Sequence, residues 1–193
     1  MTLREAQKRM TRELLLKESL GLFASKGYAA TTIDDIAAAA GTTRQTFYLH
    51  FPSKAQLLKE LISDVNAMLT SDDPSLAEVV ASGERAQIRA WLGRRIDQWP
   101  EIQPYITAAH EGAASDAEVQ EAIDHWFESA IGDIHEGLDR ADRFAPSSRR
   151  VRGTLAFGQL EFASRRWMRH GWDVDRDETL NLLTESWCTL VAD

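Results

Sequence analysis

Residues 27 to 58 confine this chain more tightly than any other stretch, because they read as two short helices joined by a glycine turn with a third helix following at once. Thr32 can accept the orphan backbone N–H groups of a helix start, and Asp35, three residues on, completes a capping-box-like pair at the positive helix end. Ile33, Ile36, Ala37 and Ala40 then recur at helical spacing, small enough for another helix to cross closely, and Gly41 supplies the left-handed backbone that ends the segment. A second helix from Thr42 to His50 carries two faces. Phe47 and Phe51 are apolar on one side, while Thr43, Arg44, Gln45, Thr46 and Tyr48 are polar and point forward. Arg can pair with guanine, Gln with adenine, and a Thr methyl can touch a thymine methyl, so that mixture suits the base edges of a DNA major groove.

Pro52 cannot continue the second helix, and Ser53 is a natural cap for a third. Lys54 then stands in the first turn of that third helix, where the helix dipole prefers an acid. A DNA phosphate would account for such a cation, and Thr32, Tyr48 and His50 are expected to add further backbone contacts that position the protein without specifying sequence.

These residues resemble the signature of the TetR family of bacterial transcriptional regulators, in which a Gly-Tyr pair, a capped Ile-x-Asp-Ile-Ala helix, an Ala-Gly turn, a Phe-Tyr-x-His-Phe segment and a Ser-Lys pair follow at fixed spacing. Here the pattern runs from Leu22 and Phe23 through Leu57, roughly the first third of the chain. It departs at Thr42, where the family usually has an apolar residue, and at Ser19 and Gly21, where Ala-like residues are commoner. The resemblance implies a helix-turn-helix headpiece, a homodimer with a four-helix interface, a ligand pocket in the remaining helices, and repression as the usual outcome.

The whole chain is acidic, with a formal charge of −8, which disfavours a nucleic-acid partner until the charges are placed. Residues 1 to 54 carry eight basic and five acidic side chains, a net of +3, which leaves −11 for the remainder. That polarity turns one end toward phosphate. No apolar run suggests a signal peptide or a membrane span, so a cytoplasmic protein is expected. Cys188 is the single cysteine, which excludes an internal disulfide and suits packing.

Strand signals are nearly absent, and three- and four-residue spacing recurs throughout, so the expected fold class is all-α. A three-helix headpiece over 1–54 would be joined by a connecting helix to a helical ligand-binding and dimerisation domain over 55–193. A first helix is expected from about Leu3 to Lys26, its basic start either touching DNA or lying as a solvated arm. The helix opened at Ser53 should run to the Ser71-Asp72-Asp73-Pro74 breaker. Further helices are expected at about 84–99, 102–111, 116–143, 147–170 and 175–191, broken at Pro100, Pro104, Gly112, Pro146 and Gly171.

The helix over 147–170 has two apolar stripes, Val151, Leu155, Gly158 and Phe162 on one and Phe157, Leu160, Ser164 and Trp167 on the other. Two stripes need two partners. With Leu180, Leu183, Trp187 and Leu190 on the last helix, this pattern predicts a homodimer that pairs the last two helices with their symmetry mates. All six Trp residues lie beyond the headpiece. Trp99, Trp126, Phe127 and Phe162 are expected to wall an apolar ligand cavity, and Tyr105, His110 and Gln159 to orient a small-molecule effector in it.

A helical metal-dependent enzyme would need Glu-x-x-His, which no histidine in the chain completes, and no phosphate-binding loop, dinucleotide fingerprint or serine elbow is present. No catalytic residue, metal site or cofactor is therefore expected. The readings that remain are an operator-binding dimer released by a ligand and a DNA-binding dimer without small-molecule sensing.

Overall fold

The computed structural model describes residues 2–71 and 74–193; Asp72 and Asp73, half of the expected breaker, lie outside the described residues. Among the described residues there are nine helices and no strand: α1 (Leu3–Lys26), α2 (Ile33–Ala39), α3 (Arg44–His50), α4 (Lys54–Thr70), α5 (Leu76–Ser82), α6 (Arg85–Ala113), α7 (Ala117–Arg140), α8 (Pro146–His170) and α9 (Arg176–Val191). The all-α expectation holds. None of the described helices is long and apolar enough to cross a membrane.

Contacts divide the chain into two compact units, one made of the residues up to Asn66 with Ile102–Asp124, the other of Ala67–Glu101 with His125–Asp193. This division by packing differs from the division by role at residue 54, because α4, α6 and α7 each contribute to both units.

In the first unit, Leu15, Phe23, Ile36, Phe47, Phe51, Leu57 and Leu58 are all at most 2% exposed and form the headpiece core. The departures from the family pattern are absorbed locally. Ser19 is fully buried, and its hydroxyl donates to the Leu16 carbonyl at 2.8 Å, so no polar group is left unpaired. Gly21 is exposed.

Two helix expectations are corrected. The separate helices over 84–99 and 102–111 are one helix, α6, which runs through Pro100, Pro104 and Gly112. Each proline removes a single backbone donor, a cost of about 3 kcal/mol in a helix interior. Burial of Ile96, Trp99, Ile102 and Ile106 on either side outweighs that cost. The boundary between the compact units falls between the two prolines. Helix α5 was not expected at all, yet Ser75 and Glu78 form a full capping box and Leu76, Ala77, Val79 and Val80 are buried.

In the second unit an arginine network fixes the α7–α8 connection. Arg149, 6% exposed, donates to the Arg143 and Phe144 carbonyls and pairs with Asp139 at 2.7 Å and Asp142 at 2.8 Å. Arg143 donates in turn to the carbonyls of Val80, Ala81 and Val191, closing the ends of α5 and α9. Trp187 is fully buried and stacks on Trp91 at 5.4 Å.

The α8 stripes behave as two stripes with different fates. Leu160 is buried and Trp167 packs on Trp99, whereas Val151, Leu155 and Phe162 are 58%, 53% and 68% exposed. On α9 the expectation is corrected: Leu180, Leu183 and Trp187 are buried inside this subunit, and Leu182 is the apolar side chain left outside. An amphipathic helix shows which residues seek burial, not whether the partner is its own chain. Cys188 is buried, as packing requires, and that burial pushes its thiol pKa up.

Candidate nucleic-acid interface

The geometry of α2 and α3 comes from local chemistry. Thr32 caps α2 by accepting the Asp35 N–H, while the Asp35 carboxylate accepts both the Thr32 N–H at 2.8 Å and its hydroxyl at 2.7 Å. At the other end Gly41 has φ +62, and the N–H groups of Gly41 and Thr42 donate to the carbonyls of Ala38 and Ala37. This is the double closure of a Schellman turn, and Thr42 serves it through its backbone rather than its side chain. Thr43 then caps α3 by accepting the Thr46 N–H, and the two hydroxyls lie 3.0 Å apart. The turn is therefore built, not merely permitted.

The faces of α3 separate as the spacing predicts. Phe47 is fully buried, whereas Thr43, Arg44, Gln45 and Tyr48 are exposed. Leu49 is 72% exposed on the same side, a residue that the sequence reading passed over. It lies two positions from Phe47 on a helix, a rotation of about 200°, so the burial of Phe47 by itself directs Leu49 outward. An exposed leucine there offers an apolar surface to a thymine methyl.

Arg44 is held in place rather than free. Its guanidinium donates to Asp34 at 3.0 Å and to the Tyr48 hydroxyl at 3.4 Å and lies 5.7 Å from the Tyr48 ring, contacts that raise its pKa, the Tyr48 hydrogen bond most. Both partners are exposed, and an ion pair in that setting holds weakly, so a guanine edge or a phosphate can take the arginine over. Gln45 projects alongside.

His50 is half-buried, and its Nδ1 has no hydrogen-bond partner. Burial, followed by repulsion from Lys8 and Arg12, lowers its pKa and favours the neutral ring. The basic start of α1 thus lies close enough to act on His50 electrostatically.

Lys54 has an internal occupation that the sequence reading did not foresee. Its ammonium donates to the carbonyls of Tyr28 at 2.6 Å and Thr31 at 2.8 Å and lies 4.1 Å from the Tyr28 ring centre. The cation in the first turn of α4 is explained by these two carbonyls, and burial lowers its pKa.

Asp35 makes the headpiece sensitive to acid. Hydrogen bonds from Lys26, first, and from Thr32 hold its carboxyl well below the usual carboxylate range. The folded pKa lies below the unfolded value near 3.8, so its contribution is present above that value and fades as pH falls through the lower one. Thermal melts of the wild type should lose stability steadily below pH 4. Melts of Asp35→Asn should start lower and show a flatter dependence there, and parallel curves would remove Asp35 from the account.

The residues expected around an effector are drawn from both compact units. Tyr105 and His110 belong to the first compact unit, and Trp99, Trp126, Phe127, Gln159 and Phe162 to the second. Phe162 is 68% exposed. Trp99 is buried and stacks on Trp172 at 5.5 Å, and Phe127 touches Trp126 and Phe157. Gln159 keeps a buried side-chain oxygen without a partner. An open groove of about 440 Å³ along α1 is lined by Gln7, Met10, Thr11, Glu13, Leu14 and Lys17, none of them expected ligand contacts.

Comparison with known proteins agrees with the geometry of α1 to α4. Residues 15–61 match the family described as bacterial regulatory proteins, tetR family. Over 47 residues the chain is 53% identical to the HTH-type transcriptional regulator YerO of Bacillus subtilis, covering 24% of this chain and 16% of that protein. Over 100 residues it is 37% identical to the HTH-type transcriptional regulator TcmR of Streptomyces glaucescens, covering 48% and 42%. The chain thus spans less than half the length of either relative. Among solved structures, SmeT, the repressor of the Stenotrophomonas maltophilia multidrug efflux pump SmeDEF, superposes with a TM-score of 0.72 at 18% identity, covering 94% of this chain and 90% of that one. NalD of Pseudomonas aeruginosa, the secondary repressor of the MexAB-OprM efflux pump, gives 0.71 at 20% identity, covering 96% and 98%. Identities this low speak for the fold, and the motif over 15–61 speaks for the headpiece. The capped turn and the exposed face of α3 thus lie within a segment, residues 15–61, that matches the headpiece of bacterial regulatory proteins of the tetR family.

Proposed function

We propose that this chain is a cytoplasmic transcriptional repressor that binds an approximately palindromic operator as a homodimer and is released by a small, largely apolar effector. The observation that carries this reading is the exposed face of α3, where Thr43, Arg44, Gln45, Tyr48 and Leu49 stand clear of a helix anchored by the fully buried Phe47. Arg44 and Gln45 read base edges, Thr43 and Leu49 supply apolar contact, and Thr32, Thr42, Thr46, Tyr48 and His50 set the helix against the phosphates. Lys54 serves the interface by holding the α1–α2 turn. Residues 1–54 form the DNA-binding part and 55–193 the effector and dimer part.

The exposed stripe of Val151, Leu155, Gly158 and Phe162, with Leu182 of α9, is the proposed dimer face. It reassigns Phe162 from effector contact to subunit contact. A two-fold pair of headpieces then meets two half-sites spaced by about one DNA turn, ~34–36 Å. The effector reading draws on the aromatic side chains Trp99, Trp126 and Phe127 with the unpartnered oxygen of Gln159. It draws also on the likeness in fold to SmeT, a repressor known in complex with triclosan.

Selection of bound sequences from a random duplex pool tests the reading directly. An enriched, two-fold symmetric sequence is expected, bound with a steep negative dependence on salt because several phosphates are neutralised per dimer. On that sequence Arg44→Ala and Gln45→Ala should each weaken binding about 10- to 100-fold and relax preference at one position per half-site, measured on operator variants. An equal loss on every variant would reassign the residue to phosphate.

A further inference from the structure

We infer that Glu111, near the end of α6, is a positioning residue for DNA binding, which holds the α1–α2 turn and through it the reading face of α3. This rests on the function proposed above and goes beyond it, since Glu111 lies fifty residues outside the matched motif.

The turn is gripped at one residue. Gly27 ends α1 with φ +84, and the next N–H, that of Tyr28, donates to the Glu111 carboxylate at 2.7 Å. On the other side the Tyr28 carbonyl accepts from Lys54 of α4. The Tyr28 ring is 3% exposed and packs on Phe23 at 5.2 Å. A Cβ on Gly112 would come 3.5 Å from that ring and 2.6 Å from Leu58, so the glycine is what lets α6 approach. The hydroxyl is hydrogen-bonded to Asp116 between α6 and α7, and burial together with that carboxylate pushes the phenol up to about 12. The N–H, carbonyl, ring and hydroxyl of one residue are thus each engaged, the N–H and the hydroxyl by groups within Ile102–Asp124.

Rigid local structure carries the grip onward. The turn leads into Thr32, whose capping box sets the start of α2, and the Schellman closure at Gly41 and Thr42 fixes α3 to α2. Without Glu111 the Tyr28 N–H loses its acceptor and the turn gains freedom. The protein must then order α3 when it binds DNA, and affinity falls although no DNA contact is lost. An effector that displaced this part of α6 would act on the same bond.

The test uses the duplex selected by the wild type and the full-length variants. Glu111→Ala should bind it at least ten-fold more weakly with an unchanged salt slope, because no phosphate contact is removed. Glu111→Gln, which keeps an acceptor for the N–H, should stay within three-fold of the wild type. Hydrogen exchange should show the Tyr28 amide losing protection in Glu111→Ala alone. Wild-type affinity in Glu111→Ala, a salt slope reduced by about one, or an equal loss in Glu111→Gln would each overturn the inference. If Glu111→Ala cannot be isolated folded, Glu111→Met carries the test, since it keeps an unbranched side chain of similar length and deletes only the acceptor of the Tyr28 N–H. A loss of three-fold or more is expected, and wild-type binding overturns the inference. Failure of the wild type to enrich any duplex would overturn the regulator reading itself.

Discussion

Replacing Phe47 by alanine is expected to cost on the order of 3–5 kcal/mol of stability and to abolish operator binding. Phe47 is fully buried on the inner side of α3, with its ring 5.7 Å from Tyr48 in an edge-on contact and 5.8 Å from Phe51. Its removal withdraws an aromatic side chain from the apolar interior and leaves a void beside Phe51, so the transfer and cavity costs add. A seven-residue helix has no stability of its own. It is helical because Thr43 caps it and Phe47 fastens it, and the loss of the second fastening releases Arg44, Gln45 and Tyr48 from a common face. Denaturant unfolding should show a lower midpoint, and titration of the selected duplex should show no specific binding. Phe47→Leu, which refills much of the void, should recover most of both. A Phe47→Ala protein within 1 kcal/mol of the wild type would mean that α3 is not anchored by this ring.

Much of this end of the molecule was legible because its determinants are neighbours in sequence. Thr32 and Asp35 are three residues apart, Gly41 closes the helix that it follows, and Gly27 and Gly171 end α1 and α8 where the glycines stand. Helix α5 was legible in the same way, through Ser75 and Glu78, and was missed only because its apolar face is two turns long. The prolines of α6 misled for a definite reason: a proline forbids one hydrogen bond, and tertiary burial of Trp99 and Ile102 outweighs that loss without leaving a local trace. Lys54 and Glu111 were illegible on principle. Their partners are 23, 26 and 83 residues away, and a lysine's spacing says nothing of two carbonyls in a distant turn. The expected effector set was drawn from residue types alone, and its members Tyr105 and Trp126 fall in different compact units. On α9 the apolar pattern was real but answered to Trp91 within the subunit, and the outward side chain, Leu182, was a single leucine among polar residues.

A Leu155→Glu protein is expected to be monomeric at micromolar concentration and to bind the operator at least 100-fold more weakly than the wild type. Val151, Leu155, Gly158 and Phe162 recur at intervals of four, three and four residues, so they share one side of α8, and all are exposed. A Cβ on Gly158 would meet nothing within 4 Å, so the backbone is bare at the middle of the stripe and open to a close helix crossing. In a two-fold interface each substitution enters twice, and two carboxylates facing one another in an apolar seam would have to ionise without partners. The headpiece is untouched, since Leu155 belongs to the other compact unit. What fails is the coupling of two half-sites, because the second headpiece no longer benefits from the high effective concentration that the dimer provides, typically millimolar. Sedimentation should give one subunit's mass, and the residual DNA binding should follow single half-sites with about half the wild-type salt slope. If Leu155→Glu stays dimeric and binds the full operator as the wild type does, the subunits meet through a different surface, and the exposed stripe of α8 faces something other than a second copy of this chain.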